Sequence, residues 1–256
     1  MAGLFIIKKK ILNEIPKNKK NDFSKYLLRK LVREKKKIVS YNSREYCKDF
    51  GTPKRYKIVK KDFKNKIHKY KSIKNKIPAV FIDRDGVINK DMGPDKYSDP
   101  FSFLKNSIKS LVKLRKSKYL IFLITNQPSV AKGFISYHQL IKSFKEYESF
   151  LSKKRFYFDK IYFCPHHPDK GFKGENLKFK INCKCRKPKP GLIYLAKNEF
   201  NINLKKSYFI GDSANDYFAS IKAKVKPIIL NKNFKDDKNC IYKHNIENAI
   251  NYILDK

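Results

Sequence analysis

Apolar residues in the last two-thirds of the chain fall into two alternating patterns. Short runs rich in β-branched and aromatic side chains lie at 79–83, 119–124, 158–163, 207–211 and 226–230. Each is too short for a helix, so each reads as a buried strand. Between the runs, apolar positions return every three or four residues. Ile108, Leu111 and Val112 mark a helix over 105–116, and Leu140, Ile141, Phe144, Tyr147 and Leu151 mark another over 137–153. Further helices are predicted over 191–200, 214–222 and 246–254. Strands alternating with helices imply an α/β domain built on a parallel, right-handed, doubly wound sheet. The helical stripes face its core.

The first 75 residues break this pattern and carry no acid pair or glycine-rich phosphate loop. Residues 64–76 are dense in lysine and poor in apolar side chains, which fits a boundary. We therefore divide the chain into an N-terminal segment over 1–66, a linker over 67–77 and a main domain over 78–256, within ordinary domain size.

Charge changes the picture less than its size suggests. The 256 residues carry 61 Lys and Arg against 23 Asp and Glu, a formal net charge of +38. Such a balance ordinarily suggests nucleic acid. Only eight of the 61 are Arg, the residue that dominates specific base and phosphate recognition, and the lysines spread over the whole chain. No specific nucleic-acid partner is expected, though loose polyanion binding is. No secretory or membrane-spanning stretch is seen, so a cytoplasmic protein without disulfides is expected from its five cysteines.

Candidate chemistry sits where the predicted strands end. The first runs into Asp83-Arg84-Asp85-Gly86-Val87-Ile88-Asn89. Carboxylates at i and i+2 beyond a strand can face one side together, at the sheet edge where open α/β folds bind ligands. They suit a nucleophile and a neighbouring acid/base, with a hard cation to neutralise charge. Thr125-Asn126-Gln127 ends the second strand, Arg186-Lys187-Pro188 follows later, and Gly211-Asp212-Ser213-Ala214-Asn215-Asp216 ends the fourth. Acid pair, hydroxyl, lysine and second acid cluster form a set for phosphoryl transfer. Separately, Cys164, His166, Cys183 and Cys185 place three thiols and an imidazole in one loop, a donor set for tetrahedral zinc.

Together these motifs resemble the haloacid dehalogenase superfamily of phosphatases over about residues 78–232. The resemblance implies roles. Asp83 would be the nucleophile and Asp85 the general acid and base, with Thr125 and Lys187 holding phosphoryl oxygens. Asp83, Asp212 and the Asp85 carbonyl would hold one Mg²⁺, with Asp216 supporting them. The cysteine-rich loop leading into Arg186 is similar to the zinc-loop branch that contains D-glycero-D-manno-heptose 1,7-bisphosphate 7-phosphatases and histidinol phosphatases. There the substrate contacts would come from Arg84, the turn Asp91-Met92-Gly93-Pro94, Asn126, Gln127, Pro128, Arg186 and Ser213. Val87 stands where Thr is usual, and Pro128-Ser129 where Ser-Gly is usual.

The implied activity is removal of the 7-phosphate of a heptose bisphosphate, a sugar bisphosphate being the expected partner. Histidinol-phosphate phosphatase is the alternative, as is a DNA 3′-phosphatase or other nucleic-acid protein. The N-terminal segment, through Ala2 to Ile7, Asp22-Phe23 and Lys48 to Tyr56, resembles the C-terminal end of a sugar-1-phosphate nucleotidyltransferase. That implies a small α/β remnant with an exposed apolar sheet face, a separate transferase fragment as a possible partner, and the α-anomer as substrate.

Overall fold

The computed structural model describes residues 4–39, 43–93, 99–234 and 237–256. The chain divides into two compact units, one ending at Ser72 and the other beginning at Ile73.

The second unit is built on a six-stranded, all-parallel sheet. Its strands are β1 (Ala79–Ile82), β2 (Leu120–Asn126), β3 (Lys160–Cys164), β4 (Tyr208–Gly211), β5 (Lys226–Ile229) and β6 (Ile241–Tyr242), in the order β3-β2-β1-β4-β5-β6. The central strands β1 and β4 are buried along their whole length. That is why they read as continuous apolar runs rather than alternating ones. The order reverses at β1, so β1, β2 and β4 meet at the switch point where such sheets bind ligands. The short pairing of β6 with β5 falls outside every predicted run, since two residues carry no periodicity.

The helices of the second unit follow the predicted spans closely. Numbered from the start of the chain, the helices are α1 (Leu28–Arg33), α2 (Pro53–Lys64), α3 (Ile67–Lys71), α4 (Ser107–Leu114), α5 (Tyr137–Lys153), α6 (Gly191–Phe200), α7 (Ala214–Ala223) and α8 (Ile246–Leu254). Ser136 starts α5 through a capping box: its hydroxyl accepts from the Gln139 amide while the Gln139 side chain accepts from the Ser136 amide. Leu140, Phe144, Tyr147 and Leu151 then bury one stripe into the core beside Ile82, Val87 and Ile121.

The first unit differs from expectation. Among its described residues there is no strand, so the predicted α/β remnant with its apolar sheet face is replaced by helices and loops. The physical reason is sequence-local. Thr52 caps α2, Pro53 opens it, and the residues that follow are a lysine-rich run favourable to helix. α2 buries none of its residues. The predicted linker is also not featureless: 67–71 form α3, and Ile77 is buried and bridges to Ile202 in the second unit. None of the described helices is long and apolar enough to cross a membrane.

Candidate active site

β1 delivers Asp83 to the sheet edge. Its amide donates to the Ile210 carbonyl (2.9 Å), one residue past the ladder to β4. The following loop is tied by Ile88 and Asn89 amides donating to the Arg84 carbonyl. Gly86 has φ +77°, and a Cβ there would strike the Asp212 carboxylate. Only glycine lets this turn approach the second acid cluster so closely.

Lys187 is the hub. Its ammonium lies 2.9 Å from Asp83 Oδ1 and 2.6 Å from Asp216 Oδ1, and donates to the Ile124 carbonyl at 3.1 Å. It is 3 % exposed. Burial opposes its charge, but the Asp216 and Asp83 carboxylates outweigh that and raise its pKa. It is therefore a fixed cation at neutral pH. Asn126 holds the lysine in place from both sides: its side chain accepts from the Lys187 amide (3.0 Å) and donates to the Lys187 carbonyl (3.1 Å).

The carboxyls behave oppositely. Burial first, then repulsion from Asp216 and Asp212, pushes Asp83 up to about 8 against the pull of Lys187. Burial and Asp216 push Asp212 up to about 7. Oxygens of Asp83, Asp212 and Asp216 lie within 4.8 Å of one another. Such crowded carboxylates fit a hard cation. Asp216 also closes the turn after β4, accepting from the Ser213 hydroxyl (2.6 Å) and from the Ser213 amide (3.2 Å). The Ser213 hydroxyl in turn accepts from the Asp216 amide, which makes it the N-cap of α7.

Asp85 does not join that group. Arg84 grips it with two hydrogen bonds, Nε to Oδ1 and Nη2 to Oδ2, each 2.9 Å. Gln127 Nε2 donates to Asp85 Oδ2 (2.9 Å) and to Thr125 Oγ1 (3.1 Å).

A cleft of about 250 Å³ brings together Asp83, Arg84, Asp85, Asp91, Gly93, Thr125, Asn126, Gln127, Pro128, Arg186, Lys187, Asp212 and Ser213 from the expected set. Met92 is half exposed and stands outside that lining. Pro94 lies outside the described residues. The lining adds Ser129, Phe134 and Asn215. Asn215 lay inside a motif already singled out, whereas Phe134 sits seven residues past the end of the strand motif at Gln127, where nothing in sequence marks it.

The metal-type cluster grows from the same edge. β2 runs two residues further than predicted, so Thr125 pairs with Phe163 and Asn126 with Cys164. The Gln127 amide donates to the Cys164 carbonyl at 2.7 Å. Cys164 Sγ is 3.5 Å from Cys183 and 3.3 Å from Cys185, and His166 Nδ1 is 3.3 Å from Cys185 Sγ. Hydrogen bonding, first from Cys164 and then from Cys183 and His166, brings Cys185 down to about 5, while Cys164 is pushed up by Cys185 and by burial. His167 stays out of the group and accepts from the Asp169 amide. Arg186 Nη1 donates to the His166 carbonyl (3.2 Å), so the cysteine loop and the Arg186-Lys187 pair are one structure.

Known proteins show the same core. The family model for polynucleotide kinase 3 phosphatase matches residues 76–253. A D-glycero-beta-D-manno-heptose-1,7-bisphosphate 7-phosphatase of Photorhabdus laumondii is 37 % identical over 154 residues, 60 % of this chain and 80 % of that protein. The protein of the same description from Escherichia coli K12 is 34 % identical over 154 residues, 60 % of this chain and 78 % of its own length. Among solved structures, the D,D-heptose 1.7-bisphosphate phosphatase from B. bronchiseptica, complexed with magnesium and phosphate, superposes with a TM-score of 0.59 at 23 % identity, covering 70 % of this chain and 99 % of that one. The chain belongs to the polynucleotide kinase 3 phosphatase family, phosphoric monoester hydrolases with a haloacid dehalogenase-type core.

Proposed function

We propose that this chain removes the 7-phosphate of D-glycero-D-manno-heptose 1,7-bisphosphate through an aspartyl-phosphate on Asp83. The observation that carries the reading is the buried Lys187 cation bridging Asp83 and Asp216 beneath a small cleft, in a chain 34–38 % identical to proteins described by that activity.

The geometry supports a two-step path. An Asp83 carboxylate oxygen attacks phosphorus, and the sugar oxygen leaves with a proton from Asp85. Water then attacks the phosphoryl group and gives its proton to Asp85, releasing inorganic phosphate and restoring the Asp83 carboxylate. Lys187 and the Thr125 hydroxyl stabilise charge on the phosphoryl oxygens. Asp83, Asp212 and the Asp85 carbonyl would hold Mg²⁺, which when bound neutralises charge between carboxylates and phosphate. Asp91, Gly93 and Arg186, which line the cleft, would contact the sugar end that is not cleaved.

The four-donor cluster would hold a structural zinc. Its Sγ–Sγ separations of 3.2–3.5 Å are close to the edge of about 3.8 Å expected for a tetrahedron with Zn–S of about 2.3 Å. The reading of residues 1–66 as a transferase tail rests on sequence order alone.

A phosphate-release screen tests the proposal. It compares the α and β anomers of the heptose bisphosphate, hexose bisphosphates, histidinol phosphate and 3′-phosphorylated DNA. The heptose bisphosphate is expected to give the highest kcat/KM. The family model's own description favours one second reading, and a preference for 3′-phosphorylated DNA would establish it instead.

A further inference from the structure

Arg84 and Gln127 line the cleft and were expected to contact substrate, yet Nε and Nη2 of Arg84 and both ends of the Gln127 amide are committed elsewhere. Arg84 is 1 % exposed, and its Nε and Nη2 are spent on Asp85 and on Gln127 Oε1 (3.0 Å). Gln127 is 3 % exposed. A guanidinium can only donate, so the amide atom facing it must be the oxygen. That fixes the Gln127 NH₂ toward Asp85 Oδ2 and Thr125 Oγ1. A hydroxyl that accepts at Oγ1 keeps its own hydrogen to donate, and Thr125 stands at the β2 edge of the cleft.

We propose that Arg84 and Gln127 are positioning residues: they seat the Asp85 side chain and set Thr125 as a hydrogen-bond donor toward the phosphoryl oxygens. The inference rests on the phosphatase roles given above for Asp85 and Thr125. Its chemistry is directional. Every group gripping Asp85 is a donor, and together Arg84 and Gln127 hold both of its carboxyl oxygens in place. Tyr147 and Phe144 back this arrangement from α5: the Tyr147 hydroxyl donates to Asn89 Oδ1 (2.9 Å), and the Phe144 ring lies 5.9 Å from the Arg84 guanidinium.

The test uses the full chain loaded with Mg²⁺, on whichever ester the wild type hydrolyses fastest. Gln127→Glu keeps the volume but faces Asp85 and Thr125 with a carboxylate. It is expected to lower kcat by about tenfold or more, leave KM within about twofold and move the acidic limb of the pH profile upward. Arg84→Lys, which keeps a cation but loses the fork, is expected to show the same split in milder form. Gln127→Met should lower kcat without moving the acidic limb upward, which separates loss of the amide from loss of fold. Circular dichroism accompanies each variant. A rise in KM with kcat and the pH limb unchanged, in a folded variant, would overturn the proposal in favour of direct substrate contact. Unchanged kinetics in both Gln127 variants would overturn it outright. A wild type that prefers an ester other than the heptose bisphosphate removes the substrate reading but leaves this test intact.

Discussion

At the scale of single residues the site is a balance of buried charges, and the balance makes two predictions. Asp83→Asn is expected to lower kcat by more than about 10⁴-fold, because an amide cannot carry the phosphoryl group. Near-normal turnover in that variant would remove the aspartyl-phosphate mechanism. Asp212 predicts a stability effect of definite sign. Its folded pKa of about 7 lies above its ordinary 3.8. Between these values the folded state binds more protons than the unfolded one, so this carboxyl costs stability as pH rises from about 4 to about 7. Asp212→Asn removes that cost. Without added Mg²⁺ the variant should melt higher than wild type at pH 8, and the gap should close toward pH 4. Differential scanning calorimetry at the two pH values decides it, and a variant less stable at pH 8 would contradict the electrostatic account. Added Mg²⁺ should raise the wild-type melting temperature more than that of the variant.

At the scale of elements, function depends on β2 ending beside β3. That pairing puts Asn126 next to Cys164, and the same Asn126 brackets Lys187. The cysteine loop is therefore a support for Lys187, which follows Cys185 by two residues. A Cys183→Ser/Cys185→Ser double variant is expected to lose bound zinc, about one per chain in the wild type, and to lose activity with it. Elemental analysis that finds no zinc in the wild type, or zinc retained in the double variant, would contradict the donor assignment. These elements also show what sequence can carry. β1, β2 and β4 were legible because strands buried on both faces are uninterrupted apolar runs, and α5 because its stripe from Leu140 to Leu151 spans about three turns. Asp83, Thr125, Lys187 and Asp212 were legible because each closes such a run or sits in a distinctive tripeptide. The roles of Gln127 and Asn126 were not, since an amide's partner depends on which end faces a cation or a backbone. Phe134 was not, because it enters the cleft through a loop with no periodicity. The N-terminal segment misled because order of short motifs carries no information about pairing, and α2 forms from local caps and helix-favouring residues alone.

At the scale of the whole molecule, two features stand apart from the chemistry. One is the charge of +38, carried mostly by lysine. Its field reaches only about 8 Å at physiological salt, so it should concentrate anions near the surface without selecting among them. The other is the division at Ser72. Every residue placed in the cleft or the cysteine cluster, from Asp83 to Asp216, belongs to the second unit. So do all six strands and the continuous core that runs from Val80 to Ile253. Within the described part of the first unit, Leu27 and Leu31 are the buried apolar residues, while Val32, Phe50, Tyr56 and Phe63 are exposed. A unit with so small an apolar interior contributes little folding energy of its own. A chain beginning at Ile73 is therefore expected to fold, bind zinc and keep kcat/KM within about threefold of the full chain, since a domain with its own core folds alone. The full chain, incubated with a sugar 1-phosphate and each nucleoside triphosphate, should yield no nucleotide sugar, because the first 75 residues carry no glycine-rich phosphate loop and Asp49, within the transferase-like stretch, is already paired with Arg55. Loss of phosphatase activity in the shortened chain with its secondary structure intact would show that the first unit takes part in catalysis. A nucleotide-sugar product would give that unit an activity of its own.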